Sequence, residues 1–289
     1  MWVVFALSAA VLTSFNPILY KRLLKDADAL LVVWGVTLLS LPLLGLFTLM
    51  LIRQVPDLDW LFAFGVLGSA ILNVVAQLAS TQSLKLADAS LVTPLLIFSP
   101  VFTVLLSAIF LSETPSAHGG LGVGLVLIGA YWLNHEFGKD WRTPFRALAF
   151  KPGVSLVLLA GLLWAITPLF EKTAIQHTKP ASPEFTAFVA TTLLTIMLTP
   201  AIIKRGRGVL DKLYVRRRTL FLAGLIASVA PVLGYTAFSL GLVGYVTTLF
   251  KLSTIITLMW SFLFLKEHGA AQRLPASLVM VVGAILIAT

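Results

Sequence analysis

The 289-residue sequence contains no cysteine and few charged residues. The lack of cysteine excludes disulfide bonds and cysteine-ligated metal sites. Charged residues make up 11% of the chain, against about a quarter of an ordinary soluble domain, so they are too few to cover a water-facing surface. The remainder is strongly apolar, with 58% hydrophobic residues and a mean hydropathy of +0.97. This balance predicts an integral membrane protein.

The missing motifs narrow the function further. The sequence has no glycine-rich phosphate loop followed by Lys and Ser or Thr, which argues against ATP-driven activity. It has no Ser/His/Asp set, no HExxH helix and no pair of acids within one predicted span. Its four histidines lie scattered near span ends, which is not the spacing of a metal site. We therefore expect no enzyme activity and no cofactor or metal.

Ten apolar runs have the length of a membrane-spanning helix. Crossing a hydrocarbon layer of about 30 Å takes roughly 20 mostly apolar residues, and these runs are too long and continuous for the alternating strands of a barrel. The first run begins MWVVFALSAAV, without a basic leader, and is predicted to be a span and not a removable signal peptide. The predicted fold is an all-α polytopic membrane protein with spans at 2–24, 29–52, 59–82, 88–111, 117–134, 154–176, 184–203, 219–240, 243–265 and 273–289.

The basic residues lie mainly on one side of the predicted membrane. Of the 21 Lys and Arg residues, 17 fall in the segments assigned to a single side, among them the loop KRGRGVLDKLYVRRR at 204–218. The positive-inside rule places that side in the cytoplasm and both termini outside. We expect a multi-pass protein of the bacterial plasma (inner) membrane, a monomer or homodimer, whose basic segments meet anionic lipid headgroups. Nucleic acid is not an expected partner.

The two halves of the chain repeat each other. Residues 87–130 align with 241–284 at a constant offset of 154, with twelve of 44 positions identical, and NPILYK (16–21) aligns with TPLFEK (167–172). The matched polar pairs include Ser99/Ser253, Thr103/Thr257 and Glu113/Glu267. Each half holds five predicted spans, an odd number, so the halves are inverted, as in secondary transporters with a site near the midplane. The predicted units are 1–138, a basic linker 139–153, and 154–289.

Lys251 is the leading candidate for substrate binding. It lies about eight residues, or roughly 12 Å of helical rise, from the nearer span end, which is too deep for its stem to reach the interface. Because a charge facing lipid is unfavourable by several kcal/mol, we expect it to face either a cavity or a partner group. Thr247 and Thr254 share its helical face, and its repeat mate is Ile97. An ammonium suits a substrate carboxylate or phosphate, and Glu171 is a second candidate, for coupling or for an ion pair with Lys251.

Other polar and aromatic residues within the spans are weaker candidates. Asn73 and Gln77 form a polar face on the third span that either lines the cavity or ties helices together. Trp164 and Tyr235 are predicted wall residues of the same cavity. Prolines within spans remove a helical hydrogen bond, and we predict broken or hinge segments at Pro17, Pro94, Pro100, Pro168 and Pro231. Gly120, Gly122, Gly124 and Gly129 allow another helix to approach closely, and the spacing Gly120-x-x-x-Gly124 is typical of contacts between helices or subunits.

Several stretches resemble a known family. They are LLWAITPLFEK (162–172), the span ends IFLSET (109–114) and LFLKEH (263–268), and the glycine-rich HGGLGVGLVLIGAYWL (118–133) with its counterpart LVMVVGAILIA (278–288). Together they resemble the EamA-type branch of the drug/metabolite transporter superfamily over essentially the whole chain. The resemblance implies a ten-helix transporter of small metabolites, often exported, such as amino acids or related zwitterionic or anionic solutes.

Other functions of such a chain stay open. The same fold could serve a lipid-linked sugar flippase or a multidrug exporter, and a different class would be a non-transporting membrane enzyme or scaffold. Relatives are usually drawn with both ends in the cytoplasm, whereas the charge distribution here predicts the reverse.

Overall fold

The computed structural model describes residues 1–52, 54–86, 99–134, 152–205, 208–253, 255–257, 260 and 270–288. The described part is almost entirely helical. Its helices are α1 (Trp2–Thr13), α2 (Asn16–Leu23), α3 (Ala29–Leu51), α4 (Trp60–Leu86), α5 (Ser99–Phe110), α6 (Ala117–Asn134), α7 (Pro152–Gln176), α8 (Pro183–Ile203), α9 (Gly208–Tyr214), α10 (Arg217–Leu240), α11 (Val243–Phe250) and α12 (Ala270–Ala288). Two short strands, β1 (Asp57–Leu58) and β2 (Thr178–Lys179), pair antiparallel.

The helices confirm an all-α polytopic membrane protein. Within the described residues, six helical segments are long and apolar enough to cross a membrane, the first being α1 and α2 taken together. The shorter apolar helices α5, α6, α11 and α12 fall on the fourth, fifth, ninth and tenth predicted spans. The full number of ten spans stays a prediction, because parts of the fourth and ninth lie outside the described residues.

Connections between helix ends group the loops into two opposite faces. At one end β1 pairs with β2, and Asp59 hydrogen-bonds His177 at 2.6 Å; we call this the distal face. At the other end Asp28 binds Arg205 at 2.5 Å and Asp26 binds Arg216; we call this the basic face. Segments that the sequence assigns to the same side therefore meet in the structure.

Helix packing follows the predicted repeat. The repeat pairs α1/α2 with α7, α3 with α8, α4 with α10, α5 with α11 and α6 with α12. When the two helices of every pair are exchanged, the main helix–helix contacts become other observed contacts or remain the same. The α4–α7 contact maps onto α10–α1, and α5–α7 maps onto α11–α1. The contacts α3–α8, α5–α11 and α6–α12 map onto themselves. This exchange is the pattern that an inverted repeat produces around a pseudo-two-fold axis.

The repeat extends to individual hydrogen bonds. The Thr103 hydroxyl donates to the carbonyl of Ala165 at 3.1 Å, and its repeat mate Thr257 donates to the carbonyl of Ser14 at 2.9 Å. Both accepting carbonyls lie three residues before a proline, Pro168 or Pro17. Proline removes the helical hydrogen bond to the carbonyl four residues before it, and in each half a threonine from another helix adds a hydrogen bond to the neighbouring carbonyl.

Glycines allow α6 to pack closely on α12, but not at the predicted spacing. A Cβ on Gly122 would lie 2.6 Å from the carbonyl oxygen of Gly283, and a Cβ on Gly283 would lie 2.7 Å from that of Gly122. Gly129 likewise faces α12. Gly120 and Gly124, by contrast, have open space where a Cβ would stand. Among the described residues, no other helix therefore contacts Gly120 or Gly124, and the contact with α12 is made by Gly122 and Gly129 on the other side of α6.

Candidate functional site

Two predicted spans are interrupted near their middle. The first breaks at Ser14 and Phe15, between α1 and α2. In the ninth, α11 ends at Phe250, and the N–H groups of Lys251 and Leu252 bond to carbonyls three residues back instead of four. This tighter bonding often marks a hinge in a helix. Pro17 lies in the first turn after the first break, where proline is well tolerated.

The two interrupted spans meet each other. The Trp260 indole donates to the Ser14 hydroxyl at 3.1 Å, and the rings of Phe15 and Trp260 stack with centroids 4.8 Å apart. Thr257 bonds the Ser14 carbonyl, as described above. One broken span comes from each half of the chain. Discontinuous helices that face one another across inverted repeats surround substrate sites in secondary transporters.

Lys251 lies at the break in the ninth span. It is the C-cap residue of α11 and is partly buried, and the negative end of a helix favours a cation there. Thr247, one turn earlier, is buried, and its hydroxyl donates within its own helix, to the carbonyls of Val243 and Gly244. Thr254 lies outside the described residues. The substrate contacts predicted for these residues remain predictions.

A buried carboxylate forms the second polar centre. Glu171 on α7 is 8% exposed, and its Oε1 accepts hydrogen bonds from Ser69 Oγ and Asn73 Nδ2, each at 3.2 Å. Tyr235 on α10 is buried and lies close enough to interact with the same carboxylate and with Ser69. Three of these residues were predicted site residues, and the structure brings them together. We call Ser69, Asn73, Glu171 and Tyr235 the acid cluster.

Glycines of α4 explain how the acid cluster forms. A Cβ on Gly68 would lie 2.3 Å from the Phe170 ring, and one on Gly65 would lie 2.8 Å from the Phe170 carbonyl oxygen. Without side chains at these positions α4 packs directly on α7, and the short Ser69 side chain reaches Glu171. The sequence analysis missed Ser69. The signal was present, because Ser69 stands one helical turn before Asn73 and directly after Gly68.

The acid cluster is linked to the Lys251 break through α10. Tyr235 belongs to the cluster, and its neighbour Gly234 faces Phe250, whose ring lies 3.5 Å from where a Cβ would stand. Phe250 also packs edge-on against Phe238, with centroids 5.7 Å apart, and directly precedes Lys251. The predicted ion pair between Glu171 and Lys251 stays a prediction, since the contacts of Glu171 described above are with hydroxyl and amide groups.

The remaining predicted site residues lie around these centres. Gln77 is partly buried one turn beyond Asn73, and Trp164 is partly buried on α7. Three of the predicted hinge prolines, Pro100, Pro168 and Pro231, lie inside a helix or at its start. Pro94 lies outside the described residues. Pro168 stands three residues before Glu171, Pro231 four residues before Tyr235, and Pro100 is the second residue of α5.

Next to the acid cluster, a second acid and a lysine pair at the distal face. Lys172 Nζ lies 3.6 Å from Glu113 Oε1, with side-chain exposures of only 10% and 9%. The same ammonium donates to the carbonyls of Phe238 and of Gly241, the latter at 3.0 Å. Glu113 Oε2 accepts the backbone N–H of Val243 at 2.7 Å. We call the Lys172–Glu113 pair the distal latch.

Each charged residue of the distal latch contacts a helix end that carries the opposite partial charge. Lys172 binds the carbonyl end of α10 and Glu113 binds the N–H end of α11, which is where each charge is favoured by the helix dipole. A left-handed turn at Ser112, with φ of 55°, ends α5 and turns the chain toward α11. Lys172 was not among the predicted site residues. Its signal was that Lys21/Lys172 and Glu113/Glu267 are charged pairs preserved between the two repeats.

A mixed pocket opens beside the distal latch. It has a volume of about 400 Å³ and is lined in part by Ser116, Lys172, Ser239 and Tyr245. The Tyr245 hydroxyl accepts the Ser116 N–H at 2.8 Å, at the start of α6. A Cβ on Gly119 would lie 1.8 Å from that hydroxyl oxygen, so only glycine leaves room for this contact. The pocket places a cationic group and several hydroxyls at the distal end of α7, α10 and α11.

Known proteins resemble this chain along its full length. The sequence profile of the EamA-like transporter family matches residues 1–135 and 151–289. An uncharacterized transporter of Archaeoglobus fulgidus is 26% identical over 290 residues, covering 99% of this chain and 96% of that protein. A solved crystal structure with 14% identity covers 99% of this chain and 98% of its own, with a TM-score of 0.75, which is a likeness of fold alone. The chain belongs to the EamA-like transporter family.

Proposed function

We propose that this membrane transporter is a secondary transporter that moves small zwitterionic or anionic metabolites, such as amino acids, by alternating access. The observation that carries the proposal is the meeting of two broken spans, one from each half, at Ser14, Thr257 and Trp260. Inverted halves have two near-equivalent arrangements, and interrupted helices at their interface provide both a polar site and hinges.

Opposite charges beside this interface suit a zwitterion. Lys251 would bind the carboxylate or phosphate of the substrate, with Thr247 and Thr254 contributing hydroxyls. Glu171, held by Ser69 and Asn73, would bind an amino group of the substrate or carry a coupling proton. Gln77, Trp164 and Tyr235 would complete the wall. A purely apolar substrate would offer neither of these groups a charge to bind.

The distal latch would act as the gate of one side. Lys172 and Glu113 hold the ends of α7, α10 and α11 and the turn after α5 together. Opening a path from the distal face between these elements requires the pair to separate. Hinge bending near Pro168 and Pro231 would accompany the separation. The direction that the family resemblance implies is export.

A transport screen tests the proposal. Purified protein in liposomes is assayed for counterflow of labelled amino acids and related carboxylates, with and without a pH gradient. We expect saturable counterflow of at least one such solute. Dependence of net flux on the pH gradient, lost in Glu171→Gln while counterflow persists, would assign the coupling proton to Glu171. No counterflow of any zwitterion or anion, together with transport of lipophilic cations, would overturn the substrate class.

A further inference from the structure

An apolar groove lies between α3, α9 and α10 at the basic face, remote from the distal latch. It has a volume of about 840 Å³, and its lining is formed mainly by Trp34, Leu38, Leu39, Leu220 and Phe221. Leu38, Leu39 and Phe221 are 40%, 41% and 60% exposed. In a membrane these positions meet acyl chains, since α3 and α10 are both membrane-spanning segments. The groove is therefore a recess in the lipid-facing surface.

One end of the groove is closed by the packing of α9 on α3, and the other end is lined by arginines. Leu213 of α9 packs over Gly35 of α3, where a Cβ would lie 2.7 Å from the leucine side chain. Arg217 and Arg218, the first residues of α10, line its mouth and are exposed, and the Arg217 guanidinium lies 4.8 Å from the centroid of the Tyr214 ring. Residues 217, 218, 221 and 222 all line the groove, so one side of α10 passes from cationic to apolar within about one turn, or roughly 5 Å.

We propose that this groove binds one anionic phospholipid, with an acyl chain between α3 and α10 and the phosphate at Arg217 and Arg218. The depth order fits a lipid: the arginines lie at the level where α10 begins, and Leu38 and Leu39 lie about 14 and 15 Å along α3 from its start at Ala29. Guanidinium groups bind phosphate oxygens in bidentate geometry. A zwitterionic headgroup carries its own cation and would compensate the two arginines poorly.

The neighbouring charges support an anion at this place. Of the adjacent basic residues, Arg216 is bound to Asp26 and Arg205 to Asp28, so their charges are compensated within the protein. For Arg217 the described contact is with an aromatic ring, which stabilises the cation without neutralising its charge. This proposal does not depend on the transported substrate.

Native mass spectrometry tests the site. The detergent-solubilised protein is mixed with equal amounts of phosphatidylglycerol and phosphatidylcholine that carry the same acyl chains. We expect one preferred phosphatidylglycerol adduct on the wild-type protein. Arg217→Gln/Arg218→Gln should lower its affinity about tenfold or more, since each basic residue near a membrane surface contributes about 1 kcal/mol toward anionic lipid. Arg22→Gln/Lys25→Gln, exposed residues of the same face outside the groove, should leave it unchanged.

Two further arms separate a seated lipid from surface charge. Leu38→Trp fills the groove without changing charge and should lower adduct affinity to the same extent, and inorganic phosphate at the same concentration should not displace the lipid. Equal binding of the two lipids by the wild-type protein would overturn the proposal. So would adducts that Leu38→Trp leaves intact, or that Arg22→Gln/Lys25→Gln weakens as strongly as the groove variant. If a variant fails to fold, the competition between the two lipids on the wild-type protein alone tests the proposal.

Discussion

Neutralising Glu113 should open the distal side of the protein. Glu113→Gln removes the charge that faces Lys172 but keeps an oxygen to accept the N–H of Val243. At 3.6 Å and an effective dielectric constant of about 20, two unit charges attract by roughly 4.6 kcal/mol. The unfavourable removal of both charges from water offsets much of this, and couplings between neighbouring residues are about 0.5–3 kcal/mol.

We therefore expect a coupling of about 1–3 kcal/mol that exists only while the distal side is closed. Its loss would shift the equilibrium toward the distal-open state by about 5- to 150-fold. The assay uses the complete lack of native cysteine. Thr247→Cys places one thiol at a position that is 8% exposed and whose hydroxyl bonds only within α11 among the contacts described. Its rate of reaction with a membrane-impermeant thiol reagent measures opening.

Two control variants establish which face of the protein the reagent reaches and whether a change in labelling rate comes from the distal latch. Lys179→Cys, at an exposed position of β2, identifies the vesicle preparation in which the reagent reaches the distal face. Asp59→Asn removes another acid of that face, one whose side chain is 47% exposed, and should not change the labelling rate. An unchanged rate in Glu113→Gln, or an equal increase in Asp59→Asn, would refute the gating role of the distal latch.

Three further predictions concern the repeat, the packing and pH. Thr103→Val and Thr257→Val should each lower stability by about 1 kcal/mol, seen as similar drops in Tm; an effect of one alone would contradict equivalent roles. Gly122→Leu should destabilise by about 1–3 kcal/mol or more, whereas Gly120→Leu, which meets open space, should leave Tm within error. The hydrogen bond with the His177 imidazole lowers the pKa of Asp59. The stability that this hydrogen bond adds is therefore present above the ordinary Asp pKa of about 4 and is lost as the pH falls through the lowered pKa. Asp59→Asn should remove this pH dependence from hydrogen exchange between β1 and β2.

The sequence predicted the fold through features that repeat or persist over many residues. Run length defined the membrane-spanning helices, because hydrocarbon thickness sets a minimum length. The matched polar pairs predicted the repeat, and the odd number of spans in each half predicted its inversion. Thr103 and Thr257 indeed make equivalent hydrogen bonds in the two halves. The Gly120-x-x-x-Gly124 spacing did not predict which glycines of α6 contact α12. Which side of α6 faces α12 depends on the rotation of the helix, which local spacing does not determine.

The candidate site was only partly predictable, for a physical reason. Polarity within a span signals that Asn73, Glu171 and Tyr235 avoid lipid, but not which partners they find. Ser69 joined them because Gly65 and Gly68 bring α4 onto α7, a tertiary effect. Lys172 was not among the predicted site residues, because it lies near the end of a span, where long side chains usually reach water. Its neighbours there are carbonyls of a helix end and a carboxylate from another helix.

We propose that Lys251, at the break in the ninth span, contacts the substrate between the two halves. The most direct test is counterflow of the best solute from the screen by Lys251→Met in liposomes, beside wild type and Lys25→Met, an exposed lysine of the basic face. We expect Lys251→Met to lose counterflow of the anionic or zwitterionic solute while Tm and the gel-filtration profile stay normal, and we expect Lys25→Met to transport like wild type. Unchanged KM and maximal rate in Lys251→Met would contradict it.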